Sequence, residues 1–171
     1  MSFEDVAAAL DYPMVVVTTA AGDARAGCLI GFHTQCSIDP PRYAFWISRA
    51  NHTFKVAALA DTFAVHFLGE QDHDLAELFG SETADTVDKF ERCEWHAGPD
   101  GVPILDRCAT YATGRRHASF NDDGDHVCFV VTPTESHAAP DHRSLMFSDV
   151  QDIDAGHDPR ERQRPEEQPG R

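Results

Sequence analysis

Ser48-Arg49-Ala50-Asn51-His52-Thr53 is the stretch of this chain best equipped for chemistry. It supplies hydroxyls, an amide, a guanidinium and a run of backbone N–H groups just before a segment with helical spacing. Helix N-termini present unpaired donors and a positive dipole end, so such a loop can hold a phosphate. It can equally be a capping loop, because the same side chains accept hydrogen bonds from the first helical N–H groups. Two further features have chemical potential. Gly27 and Gly31 fall inside an apolar run, where glycine marks either a bulge or a place where a ligand approaches the backbone. His126 opens an apolar strand, either as a reactive imidazole or as a histidine satisfied by its neighbours. Arg115-Arg116-His117 is a basic cluster whose simplest reading is a solvated loop.

The spacing around these groups predicts the elements that position them. Ser2 to Leu10 reads as a short helix capped by Ser2, with Val6 and Leu10 on one face, ended by Tyr12-Pro13. Met14 to Thr19 is β-branched and apolar, a strand; Ala20 to Asp23 is a turn; Ala26 to Ser37 is the returning strand of a hairpin. In that strand Leu29, Gly31, His33 and Gln35 share one face, and Cys28, Ile30, Phe32 and Thr34 the other. The face with His33 and Gln35 is either solvated or lines a pocket. Asp39-Pro40-Pro41 is a rigid turn. Arg42 to Ser48 is a strand with Tyr43, Phe45 and Ile47 alternating against Ala44 and Trp46. Thr53 to Leu59 is helical, and Thr62 to Leu68 is a strand buried on both faces. Gln71 to Phe79 is a helix stopped by Gly80. Thr86 to Phe90 is a short helix or turn anchored by Phe90. Cys93 to His96 is strand-like, Ile104 to Thr113 a strand, Gly114 to Gly124 a polar loop, Asp125 to Pro133 a clear strand, and Ser144 to Val150 the last one. From Asp152 the chain is polar and too poor in apolar side chains to offset ordering entropy, which predicts a disordered tail over 152–171 behind one domain over 1–151. Short strands without βαβ alternation sum to a mainly β fold, an antiparallel barrel with peripheral helices.

The bulk properties set limits. The chain has 171 residues, enough for one domain with a sizeable core. Its net charge of -15, from 29 acidic against 14 basic residues, argues against a nucleic acid or an anionic membrane as partner. An anionic ligand must therefore be held locally. The five cysteines show no CxxC spacing, no basic leader precedes an apolar run, and no run approaches a membrane span, which together predict a cytoplasmic protein. The ten histidines show neither HExxH nor paired Cys/His spacing, so no metal site is expected.

Read in order, the pieces resemble a known family. They are Val17-Thr18-Thr19, then Gly27, Gly31-Phe32, Ser37 and Pro40-Pro41, then Ile47-Ser48-Arg49 with Asn51 and Thr53. Phe63, Val65 and Phe67-Leu68 follow, then Gln71 with Leu75-Ala76 and Leu78-Phe79-Gly80, then Asp88-Lys89-Phe90, then Gly101, Pro103 and Leu105, and last Gly124-Asp125-His126. No single piece is specific, but the order is that of the flavin reductase family with the FMN-binding split β-barrel fold. The resemblance runs from about Tyr12 to Phe147. It implies a homodimer with FMN (FAD as the other option) near the subunit interface. The isoalloxazine would lie along Cys28, Leu29, Ile30 and Gly31. Gln35, Cys36 and Ser37 would reach the ribityl chain or ring. Ser48, Arg49, Asn51, His52 and Thr53 would hold the phosphate, with Lys89 a more distant candidate. His126 would be the catalytic histidine near the flavin face where the nicotinamide docks. Two departures stand out. Leu29, Ile30 and Gly31 occupy places where the family often has small hydroxyl residues, and His66 stands where it usually has asparagine.

The implied function is an NAD(P)H-dependent flavin reductase passing hydride from the nicotinamide to flavin N5, with reduced flavin supplied to a partner monooxygenase. The alternative is an FMN-binding electron-transfer or flavin-storage protein with little turnover. The chain has no Gly-x-Gly-x-x-Gly fingerprint, which fits a transiently bound hydride donor without a dinucleotide domain of its own.

Overall fold

The structure is a computed structural model and describes residues 1–81 and 87–154. In chain order the elements are α1 (Phe3–Ala8), β1 (Val15–Ala21), β2 (Ala24–Ile30), β3 (His33–Ser37), β4 (Arg42–Ser48), α2 (His52–Ala57), β5 (Thr62–Phe67), α3 (His73–Ser81), β6 (Trp95–Ala97), β7 (Pro103–Leu105), β8 (Tyr111–Phe120) and β9 (His126–His137). Seven strands form one antiparallel sheet in the order β2-β1-β5-β8-β9-β4-β3, and β6 pairs with β7 separately. The two edge strands, β2 and β3, are consecutive in the chain and joined only by Gly31-Phe32. The sheet must therefore curl until its edges approach, and the backbone N–H of Trp46 on β4 donates to the Phe32 carbonyl at 2.9 Å. The result is a mainly β half-barrel with helices on its periphery.

Strand patterning explains how the sheet is filled on both sides. Val15, Val17, Phe63 and Val65 alternate inward with Phe45, Ile47, Val127 and Phe129, and α2 closes this barrel core with Ala57. Val16 on the opposite face of β1, with Met14 just before the strand, packs under Leu75, Ala76 and Phe79 of α3 and under Leu145 and Val150. Val15, Val16 and Val17 are fully buried, each contributing about 2 kcal/mol. The β1–β2 turn has Gly22 at φ +59, a left-handed conformation that costs glycine nothing.

Five expectations need correction. The run from Ala26 to Ser37 is two strands, because it turns at Gly31-Phe32 to link opposite sheet edges. Ile104 to Thr113 is likewise split between β7 and β8, and the expected polar loop from Gly114 is strand as far as Phe120. Its polar side chains misled: they alternate along a strand whose backbone is paired with both β5 and β9. Arg116 is not solvated; its guanidinium lies 5.3 Å from the Phe129 ring and donates to the Ala57 and Ala60 carbonyls at the end of α2. Such a cation also complements the negative end of the helix. Ser144 to Val150 is not a strand but two isolated bridges and a 3-10 turn at Phe147–Asp149, with Leu145 buried and Phe147 stacked on Tyr12 at 4.9 Å. α1 forms with the Ser2 capping box, yet buries none of its residues. At the other end Asp152 accepts from His73 at 2.9 Å and Ile153 packs on the α3 cluster. The remaining tail, 155–171, lies outside the described residues, as does Thr86 of the expected 86–90 turn.

Candidate functional site

A cleft of about 370 Å³ opens where the sheet edges meet. One wall is the strand backbone of Cys28, Leu29, Ile30 and Gly31; the facing wall is Trp46, Ile47, Ser48 and Asn51; Tyr12, Phe147, Phe32 and His126 complete the rim. The Tyr12 ring sits so close to the strand that a Cβ on Gly31 would lie 2.6 Å from it. Glycine here lets the aromatic stack close against bare backbone. The Phe32 ring lies 5.1 Å from the His126 imidazole, and His126 Nδ1 is 2.7 Å from Asp125 Oδ1. Flat aromatic walls and exposed strand amides suit a planar heteroaromatic ring.

A second cleft, of about 280 Å³, continues along the same strand. It is lined by Arg25, Ala26 and Gly27 where the first is lined by Cys28 to Gly31, and by His52 where the first has Asn51. Its character is the reverse: Asp23, Asp88, Arg25, His52 and Lys89 ring it. Arg25 pairs with Asp88 at 3.3 Å and lies 5.0 Å from the Trp95 ring. Lys89 is buried, and its ammonium donates to the Phe79 carbonyl at 3.1 Å and to the Gly27 carbonyl at 3.4 Å. Burial raises the Cys28 thiol to about 11, against a smaller lowering by Lys89 and a hydrogen bond from Thr53. Cys28 is thus a neutral wall residue.

The sequence-predicted residues divide into three groups. Cys28, Leu29, Ile30, Gly31, Ser48, Asn51 and His126 are brought together around the first cleft, and His52 lines the second. Thr53 is buried behind them, and the loop also acts as a cap: Asn51 Oδ1 accepts from Thr53 N–H at 2.9 Å, and the Ser48 hydroxyl from Ala50 N–H at 3.3 Å. Gln35, Cys36 and Ser37 are not in either lining; they lie on β3, where Gln35 donates to the Ser37 carbonyl and Ser37 to the Pro40 carbonyl. Arg49 is turned away from both clefts toward the β8–β9 turn. Of His33 and Gln35, only His33 is inward: its ring bridges the Tyr43 hydroxyl and the Pro13 carbonyl, each at 2.7 Å. The aromatic rim of Tyr12, Phe32, Trp46 and Phe147 was missed. Tyr12, Phe32 and Phe147 lie at or between element ends, and Trp46 lies inside β4, so no shared local pattern marks them. Arg25 was missed too, since one arginine after a turn has no signal. Among the described residues no three His, Cys, Asp or Glu side chains gather as a metal site.

With this geometry in view, the comparisons with known proteins are specific. The chain belongs to the flavin reductase like domain family, whose family model matches residues 7–152. The NADH:riboflavin 5'-phosphate oxidoreductase of Streptomyces pristinaespiralis is 31% identical over 141 residues, covering 78% of this chain and 75% of that protein. The stachydrine N-demethylase reductase subunit of Rhizobium meliloti (strain 1021) is 28% identical over 70% of this chain but only 51% of its own length, so the chain spans about half of that relative. The Streptomyces globisporus C-1027 NADH:FAD oxidoreductase, solved in complex with NAD and FAD fragments, superposes with a TM-score of 0.77 at 21% identity, over 87% of this chain and 88% of that one. That likeness establishes the fold.

Proposed function

We propose that this protein is an NAD(P)H-dependent flavin reductase that holds FMN, or the FMN half of FAD, along β2. The observation that carries this reading is the pair of clefts placed end to end on one strand, aromatic at Cys28 to Gly31 and charged at Arg25 to Gly27. A flavin nucleotide has the same polarity, a flat ring joined to an anionic phosphate. The residues fit it: strand amides and four aromatic side chains for the ring, Arg25, His52 and Lys89 for the phosphate. When bound, the flavin supplies the acceptor for the nicotinamide hydride. The chain's own part is to orient and exclude. Tyr12 and Phe147 would close one side of the ring, and Phe32, Trp46 and His126 would be the side chains that the nicotinamide meets. His126 Nδ1 is held by Asp125, which directs the other ring nitrogen away from that carboxylate, free to meet the nicotinamide carboxamide. The NADH-linked names of the relatives support the same donor.

Three further parts belong to the proposal. The protein is a homodimer: Phe3 and Val6 on α1 and Leu10 just past its end, with Phe32 and Phe120, leave large apolar side chains exposed that a second copy would cover. Reduced flavin leaves for a partner monooxygenase, as the relative named a reductase subunit suggests. It works in the cytoplasm; all five cysteines are free thiols, and among the described residues no helix is long and apolar enough to cross a membrane. The decisive experiment is a visible spectrum of desalted protein before and after anaerobic NADH. Flavin bands near 370 and 450 nm (about, as for protein-held flavin) that bleach within seconds support the reductase. Bands that persist favour an electron carrier or flavin store. A protein that neither binds added FMN nor oxidises NADH with it sinks the proposal. Sedimentation at micromolar concentration tests the dimer, and a purely monomeric profile rejects it.

A further inference from the structure

Arg49 sits in the loop whose chemistry suggests phosphate binding, yet its side chain makes different contacts. It lines neither cleft. Its Nε–H donates to the Gly124 carbonyl at 2.7 Å, its Nη2 donates to Asn121 Oδ1, and its backbone N–H donates to the Asp125 carbonyl at 2.9 Å. Three donors of one residue thus converge on the turn between β8 and β9. That turn, residues 121–125, is exposed throughout, and Asp123 sits in the left-handed region at φ +66. Among the described residues its other hydrogen bonds are local: Asn121 Oδ1 also accepts from Asp123 N–H at 2.9 Å, and Asp122 Oδ1 from Gly124 N–H at 3.0 Å. An exposed turn held by its own short-range bonds would ordinarily be among the least stable parts of a domain.

The turn ends in His126. Ser48 is the register partner of His126 across β4 and β9, so Arg49 leaves β4 right beside it. The Asp125 whose carbonyl Arg49 holds is the same residue whose carboxylate holds His126 Nδ1. We propose that Arg49 is a positioning residue for His126, a strut that fixes the Asn121–Asp125 turn, and that it is not a ligand of the flavin phosphate. The role asks for a planar fork spanning two acceptors from one side chain, which arginine has and lysine lacks. The inference rests on the proposed reading of His126 as the group that meets the nicotinamide.

The test uses the chain with Arg49→Met, Arg49→Lys and Asn121→Ala, the last removing the acceptor that Arg49 Nη2 shares with Asp123 N–H while leaving the Ser48–Thr53 loop unaltered. Four quantities are read: the FMN dissociation constant by flavin fluorescence, KM for NADH, amide exchange in the turn, and the His126 imidazole resonances. The strut predicts FMN affinity within about twofold of wild type in all three variants. It predicts KM for NADH raised about tenfold in Arg49→Met, as loss of charged hydrogen bonds would give. Arg49→Lys gives little rescue, turn amides exchange faster, and the His126 resonances shift or broaden. Asn121→Ala moves the same readouts in the same direction by less. A phosphate ligand predicts the opposite: FMN binding weakened about tenfold or more in Arg49→Met, largely restored by Arg49→Lys, with turn amides and His126 unchanged. That result overturns the inference. If wild-type protein binds no flavin at all, the reductase reading falls, while amide exchange and the His126 resonances still decide whether Arg49 is the strut.

Discussion

The two ends of β2 carry opposite chemistry on one continuous backbone. At Cys28 to Gly31 the strand carries no charged side chain, and what surrounds it is rings: Tyr12, Phe32, Trp46 and Phe147. At Arg25 to Gly27 the surroundings are charges: Asp23, Asp88, His52, Lys89 and Arg25 itself. The ring end is made by the curl of the sheet, since β2 and β4 approach only because Gly31-Phe32 joins its edges. The charged end is made by chain that returns after α3, bringing Lys89 to the Gly27 carbonyl. A protein with a net charge of -15 cannot attract an anion by its overall field. It can hold one where three cationic or protonatable groups meet at one end of a strand. In the proposed reading, this difference between the ends is what would orient a flavin nucleotide, ring toward Gly31 and anion toward Arg25.

The hardest way to break this contrast is to fill the ring end. Gly31→Leu puts a side chain where even a Cβ would meet Tyr12 at 2.6 Å, so the Tyr12–Phe147 stack must open and the cleft fills. FMN and riboflavin binding should both fall by about a hundredfold or more, since overpacking costs of order 1–3 kcal/mol and the ring loses its seat besides. Fluorescence titration checks this. Unchanged riboflavin binding would place the ring elsewhere.

Next in size is the charged end. Lys89→Met should weaken FMN by about tenfold to a hundredfold while leaving riboflavin within about threefold, because only the phosphate-bearing ligand loses a charged partner. An equal loss for both ligands would mean that Lys89 acts through the fold, by its bonds to Gly27 and Phe79, and the phosphate would have to be placed elsewhere. His126→Gln follows, and acts at the mouth of the ring end alone. Hydride transfer from NADH should slow by about tenfold to a hundredfold, at or below the low end of what a positioned acid–base group contributes, because His126 orients the donor and moves no proton. FMN affinity should hold. Stopped-flow bleaching of the flavin band reads it directly, and a wild-type rate in this variant removes His126 from the mechanism.

How much of this was legible in the chain differs between the two ends. The ring end was half visible. Gly27 and Gly31 interrupt an apolar strand, and a glycine there has few uses other than a bend or a close approach, both of which occur at Gly31. Yet the bend hid the topology: period-2 patterning runs straight through Gly31-Phe32, because both halves are strands and the alternation survives the corner. The rings around it come from Tyr12 and Phe147, which touch only after the whole sheet has closed, so no local pattern could join them. The charged end was barely visible. The loop at Ser48 to Thr53 contributes only His52 to the second cleft, and its composition could not say that Ser48 and Asn51 would serve as caps while Arg49 faced the other way. Chemistry-bearing side chains in a row do not share a direction; in a loop each points where its own φ/ψ sends it. Arg116 shows the same limit in a strand, where a charge in a polar run proved to lie over Phe63 and Phe129.

The smallest effect on either end should come from His66, which separates the trough from the fold that carries it. His66 is fully buried on β5, behind β1. Its Nδ1–H donates to the Val16 carbonyl at 3.1 Å, and its Nε2 accepts the Leu105 N–H at 3.0 Å, tying β7 to the sheet. Both bonds need the neutral ring with its proton on Nδ1. Burial pulls the imidazole down from the ordinary 6.5 to about 4, with the nearby His96 adding to the fall and the Val16 carbonyl opposing it. The unfolded chain therefore takes up the proton first as acid is added. His66 leaves stability intact above pH 6.5, withdraws it progressively as pH falls toward about 4, and withdraws no more below that. The whole withdrawal is about 3 kcal/mol, from roughly two and a half units at 1.36 kcal/mol each. His66→Asn keeps one donor and one acceptor but cannot titrate, so its denaturant midpoint should lose this part of the acid dependence. FMN affinity at neutral pH should not move, because His66 lines neither cleft. Urea unfolding from pH 7 to pH 4 with both proteins decides it. An unchanged pH dependence would show that His66 is not the titrating group, and a fall in FMN affinity at pH 7 would show that the trough is held by the β7 tie as well as by the rings and charges along β2.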